Sequence, residues 1–144
     1  TNLYDLSAVF SSNDQEGEIS ISGDVKLKNE AREIIDGSAA DFEITYLCSE
    51  KELRINAKTK QAIKGKTSFT IPIISKNNEP AEQPEANVII ITKPEGKVKI
   101  TANVPLTIIE TEKSRTFNMV PGVEALPIKA DFDSNSVELT ITVI

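Results

Sequence analysis

Val137-Glu138-Leu139-Thr140-Ile141-Thr142-Val143 puts an apolar side chain at every second position and a polar one between each pair. Successive side chains of a strand point to opposite faces, so this stretch reads as a strand with one face in a core and one in water. The same period runs through Ile19, Ile21, Val25 and Leu27, which alternate with Ser20, Ser22, Asp24 and Lys26. Phe42-Glu43-Ile44-Thr45-Tyr46, Leu53-Arg54-Ile55, Phe69-Thr70-Ile71, Val98-Lys99-Ile100 and Leu106-Thr107-Ile108 repeat it. Ile, Val, Thr and Phe dominate these segments, and they are the residues that fit a pleated surface.

Turn signals separate the segments: Glu16-Gly17, Asp36-Gly37, Pro94-Glu95-Gly96, Pro121-Gly122 and Asp133-Ser134-Asn135. Asp36-Gly37 suits the positive φ angles of a tight hairpin. In Pro121-Gly122, Pro presets φ and Gly accepts a positive one, as a type II turn requires. A spacing of about 8–12 residues between turns is that of an antiparallel sandwich or barrel. Two short stretches, Asn29 to Ile35 and Lys58 to Lys64, allow a helical turn each. Both fall short of the ~12 residues at which a helix stands without strong packing. The fold class expected is all-β, an antiparallel β-sandwich.

Composition then removes function classes. The chain has 144 residues, 16 Lys+Arg against 22 Asp+Glu, a formal net charge of −6, no His, no Trp and one Cys. Without His there is no Ser-His-Asp or Cys-His pair and no imidazole acid/base switch. One Cys rules out an internal disulfide framework or a thiolate cluster. The glycines stand apart from one another and form no phosphate-binding loop. The acidic balance argues against nucleic acid, whose phosphates need a clustered basic surface. No apolar run reaches the ~18 residues of a membrane-spanning helix. The chain opens at Thr1 with no apolar leader pattern and reads as a mature or excised piece.

The two halves resemble each other. Glu16-Gly17-Glu18-Ile19-Ser20-Ile21 lines up with Glu95-Gly96-Lys97-Val98-Lys99-Ile100, and Glu52-Leu53-Arg54-Ile55 answers Glu138-Leu139-Thr140-Ile141. Between them lies Ser75-Lys76-Asn77-Asn78-Glu79-Pro80-Ala81-Glu82-Gln83-Pro84-Glu85, polar and with two prolines. The expected organisation is therefore two tandem immunoglobulin-like repeats, 1–75 and 86–144, joined by a linker at 76–85. The alternative is one sandwich of about ten strands in which 76–85 is a long loop.

Few residues are candidates for chemistry. Lys58, Lys60, Lys64 and Lys66 fall in a stretch without an acid and form a local positive patch, suited to an anionic glycan or partner. The structural reading of the same residues is a sheet edge guarded by Lys. Asp131, Asp133 and Asn135 offer oxygen ligands on alternating positions, as a Ca²⁺ loop would; otherwise they form an Asx-rich hairpin turn. Asn13-Asp14-Gln15-Glu16 with Glu18 is a second acidic loop of this kind. Cys48 ends a strand and has neither a His nor a helix N-terminus to activate it. The seven aromatics sit mostly at inward positions, so sugar stacking lacks an obvious platform.

Two stretches resemble known families. Arg115-Thr116-Phe117-Asn118-Met119-Val120-Pro121-Gly122-Val123-Glu124-Ala125 is similar to a strand-turn segment in the C-terminal sandwich of heparinase-type polysaccharide lyases. Asp41 to Leu53 resembles the repeated β domains of sporulation coat-assembly proteins. Each covers about a tenth of the chain and they point in different directions, so neither assigns a family.

The expected function is a non-catalytic structural or binding module of a cell-envelope or secreted protein, recognising a protein or glycan partner through loops or an edge strand. The alternative is an accessory domain of a polysaccharide-active enzyme, binding carbohydrate or Ca²⁺. No enzyme activity and no obligatory cofactor are expected.

Overall fold

A computed structural model describes residues 8–13, 17–28, 34–59, 67–109, 122–133 and 135–144. Eleven strands are formed by the described residues: β1 (Val9–Asn13), β2 (Glu18–Lys28), β3 (Ile34–Cys48), β4 (Glu52–Thr59), β5 (Thr67–Ile74), β6 (Ala81–Glu85), β7 (Val88–Lys93), β8 (Gly96–Ala102), β9 (Leu106–Ile108), β10 (Ala125–Phe132) and β11 (Ser136–Val143). They make an eight-stranded sheet, ordered β1-β2-β3-β4-β11-β8-β7-β6, and a three-stranded one, ordered β5-β10-β9. Every pairing is antiparallel.

The period-two pattern decides how the sheets face. On β11, Val137 and Leu139 are buried while Glu138 between them is exposed. The register sets Val137 beside Ala57 and Leu139 beside Ile55 on one flank, and Leu139 beside Ala102 and Ile141 beside Ile100 on the other. Ile89 of β7 continues the row beyond Ile100. On β10, Leu126, Ile128, Ala130 and Phe132 are buried, with Ile73, Ile71 and Phe69 of β5 opposite the first three. These two apolar faces meet in one hydrophobic cluster. It holds Ile55 and Ala57 from before the 76–85 stretch and Ile89, Ile100, Ile128 and Leu139 from after it. The architecture is a β-sandwich whose core lies between the small sheet and the middle of the large one.

The 76–85 stretch is fastened to both sheets. It supplies β6, which pairs with β7. Upstream of β6, Lys93 of β7 donates through Nζ to the carboxylate of Glu79 at 2.6 Å and to the carbonyl of Ile74 at 2.5 Å. On the other side, Asn77 donates its backbone N–H and its side-chain amide to the carboxylate of Glu124, at 2.7 and 3.3 Å. Ser75, 1% exposed, donates its backbone N–H to the Glu124 carbonyl at 3.0 Å. This polar clasp holds the crossover from β5 of the small sheet to β6 of the large one.

Most turn signals fall where turns occur. Gly17 has φ +64 and Gly122 has φ +82, and the Pro94-Glu95 and Asp133 to Asn135 stretches join β7 to β8 and β10 to β11. Both Glu-Gly signals open a strand, β2 and β8. Asp36-Gly37 differs, because it lies inside β3 rather than closing a hairpin. Lys26 pairs with Ala39 but Lys28 pairs with Ile34, so β3 accommodates its extra residues as an irregularity in a long strand. The expected helical turn at Asn29 to Ile35 lies outside the described residues except for Ile34 and Ile35, which begin β3. At Lys58 to Lys64, Lys58 and Thr59 are the end of β4 and residues 60–64 lie outside the described ones.

Candidate functional site

The middle of the large sheet turns one face to the core, which leaves its opposite face outside the core cluster. Its residues follow from the register. One row across the strands is Ser20, Thr45, Asn56 and Glu138, from β2, β3, β4 and β11. The next is Leu47, Arg54, Thr140 and Thr101, from β3, β4, β11 and β8. A third is Glu52, Thr142, Lys99 and Ile90, from β4, β11, β8 and β7. Glu43, Lys58 and Ser136 form a row beside the first. Thr recurs because its β-branched side chain suits a strand while its hydroxyl meets water, and Ser shares the hydroxyl without the branch.

The chemistry of this face is hydroxyl, amide and charge of both signs, with Arg54, Lys58 and Lys99 set among Glu18, Glu43, Glu52 and Glu138. Ser20 and Thr45 share a hydroxyl–hydroxyl bond of 3.2 Å. Arg54 donates through Nε to Glu52 at 2.5 Å, and its side chain is 68% exposed. Lys58 pairs with Glu43 at 2.7 Å and is 48% exposed. Such exposed pairs contribute little stability, on the order of 0–1 kcal/mol each. Each pair leaves a largely exposed cation on the polar face of the sheet. A guanidinium or ammonium so placed can take an anionic group, while Thr and Asn side chains can bond hydroxyls.

The residues expected from sequence are distributed unevenly. Of the four lysines, Lys58 stands on this face at the end of β4, and Lys60, Lys64 and Lys66 lie outside the described residues. Asp131 is on β10, accepts from Ser68 at 2.5 Å and pairs with Lys129 at 2.9 Å. Asp133 and Asn135 follow in the turn to β11, where the Asn135 carbonyl accepts from Thr59 at 2.8 Å. Among the described residues no three His, Cys, Asp or Glu side chains gather as a metal would need. Cys48 is exposed at the end of β3, and its N–H donates to the Gly17 carbonyl at 2.9 Å. Tyr46 packs against the core, where burial pushes its phenol above the usual value, so it is no platform for sugar stacking.

The outer-face rows were hidden from sequence reading because Arg54, Thr140 and Thr101 are far apart along the chain. Only the register of β4, β11 and β8 lines them up. The usable signal was the polar half of each alternating stretch, which pattern reading treats as the side that merely faces water.

The family described as the ulvan lyase C-terminal domain matches residues 1–144. A broad-specificity ulvan lyase from Formosa agariphila is 45% identical over 143 residues, covering 99% of this chain and 22% of that protein. The chain thus spans about a fifth of the curated relative it matches.

Proposed function

The chain belongs to the ulvan lyase C-terminal domain family, and from that premise we propose that it is a non-catalytic accessory domain that binds the polysaccharide on which an attached lyase acts. Of the two readings the sequence left open, this is the accessory-domain one. The observation that carries it is the family match along the whole chain, beside a relative whose name gives ulvan as the substrate. The outer face of the large sheet is the proposed binding surface. Arg54, Lys58 and Lys99 would meet acidic groups of the polysaccharide, and Thr45, Asn56, Thr101 and Thr140 its hydroxyls.

A multi-strand surface suits a long polymer better than a small sugar, because several weak contacts along one chain add up. On the described outer face the carboxylates of Glu43 and Glu52 are each engaged by a cation, while Glu138 stands exposed beside Asn56. Secretion or display on the cell surface follows from the same reading, since a polymeric substrate lies outside the cell.

The test is retention on native gels cast with ulvan, with an acidic glycan of different linkage or with a neutral glycan, each run with Ca²⁺ and with a chelator. Slowed migration in ulvan supports the reading. Unchanged migration in every gel overturns it. Retention that vanishes with the chelator would assign a Ca²⁺-dependent mode to the Asp131, Asp133 and Asn135 loop instead of the sheet face.

A further inference from the structure

We propose that two copies of this chain pair through β1, edge to edge and antiparallel, so that their eight-stranded sheets join into one. The inference goes beyond the polysaccharide reading and does not rest on it. It starts from how differently the two ends of the large sheet are built. The sheet runs from β1 at one end to β6 at the other. At the β6 end, Glu82, Pro84 and Glu85 are exposed and the register slips between Glu82 and Glu85. Charge, proline and a bulge are the devices that refuse a further strand.

None of these devices is present in β1. Its sequence, Val9-Phe10-Ser11-Ser12-Asn13, has no charge and no proline, and all five residues are exposed. Its five positions pair with β2 in unbroken register, and no described strand lies on the far side. Val9 is 64% exposed and Phe10 63%, and alternation puts them on opposite faces. Only an extended strand laid along the edge covers both while pairing with the backbone.

A second copy supplies such a strand. Pairing about a two-fold axis at Ser11 sets Ser11 opposite its own counterpart, Phe10 opposite Ser12 and Val9 opposite Asn13. No like charges meet in that register. This matters for a chain of net charge −6, whose copies otherwise repel, and it makes β1 the edge at which two copies meet with least opposition. Self-pairing of β6 about an axis between Gln83 and Pro84 would set Glu82 opposite Glu85, and about Gln83 would set Glu82 opposite Pro84. A dimer would also present two polysaccharide-binding faces in one continuous sheet.

The register dictates the test. Sedimentation equilibrium on the whole chain, from micromolar to millimolar, should show a concentration-dependent dimer. Ser11→Lys and Ser11→Glu each set like charges face to face and should raise the dimer Kd about fivefold or more. Mixing the two variants should restore pairing as a heterodimer. Ser11 is exposed, so circular dichroism should show both variants folded like the parent. A parent chain that stays monomeric throughout overturns the proposal. So does a dimer that both variants leave untouched, or a mixture that pairs no better than either variant alone.

Discussion

Lys93→Met keeps the unbranched stem of Lys93 and removes its ammonium, and with it the Lys93 half of the clasp at the crossover between the sheets, leaving the bonds to Glu124 in place. In the parent, Nζ donates to Glu79 at 2.6 Å and to the Ile74 carbonyl at 2.5 Å, with side-chain exposures of 24% for Lys93 and 12% for Glu79. Net worth for a bond to a charged group is about 1.5–3 kcal/mol, and solvent at this half-open site reduces it. A loss of about 2 kcal/mol is expected, because Glu79 still accepts the Lys76 N–H at 3.1 Å and water can reach it. At about 2–4 °C per kcal/mol for a chain of this size, the Tm should fall by about 4–8 °C.

The effect also depends on pH. The Lys93 hydrogen bond holds the Glu79 carboxyl below its ordinary value of 4.5. A depressed folded value means that the stabilisation is fully present above pH 4.5 and is lost as pH falls through the lowered folded value. Urea unfolding followed by circular dichroism should therefore show a large gap between parent and variant at pH 7 and a smaller one near pH 3. A gap below about 0.5 kcal/mol at pH 7, or one that does not change with pH, refutes the reasoning.

Three further outcomes follow from the fold. Ile128 is fully buried at the centre of the small sheet, between Ile71 and Ile108, so Ile128→Ala should cost about 3–4 kcal/mol in urea unfolding. Gly17 has φ +64, and a Cβ there would stand 2.5 Å from the Cys48 carbonyl oxygen; Gly17→Ala should lower the Tm although it removes no contact. Because Ile55 and Ala57 share a cluster with Ile128 and Leu139, calorimetry should show one cooperative transition whose van't Hoff and calorimetric enthalpies agree. Two separable transitions would instead favour independent units on either side of 76–85.

Seven strands, β2, β3, β4, β5, β8, β9 and β11, were legible because each has to satisfy its own alternation, whereas β1, β6, β7 and β10 were not picked out by it. Val137 to Val143 and Phe69 to Ile71 announce an inward face without reference to any partner. Their pairing was less so. That β4 lies beside β11 depends on Ala57 and Ile55 fitting Val137 and Leu139, and no local signal carries that choice. The same limit concealed the clasp, since Lys93, Glu79 and Asn77 look like ordinary polar residues until Glu124 and Ile74 are brought to them. Polarity and two prolines made 76–85 read as a linker, yet part of it forms an edge strand, where proline and acids are tolerated on the open side. The outer-face site was legible only as composition, Thr and Ser between apolar positions, and became a surface through register. Of the expected lysine patch, Lys58 alone is placed on that surface by the described residues.

The claim at the centre of this account is that the large sheet's outer face holds polysaccharide without cleaving it. Isothermal titration of the chain with ulvan, run beside an assay for new chain ends, tests it most directly. Arg54→Ala and Lys99→Ala are the informative variants, since both sites are on that face and outside the core cluster. The account predicts saturable binding by the parent, binding weakened by each variant with the fold intact, and no cleavage by any of them. Cleavage by the chain alone, or binding that neither variant weakens, would contradict it.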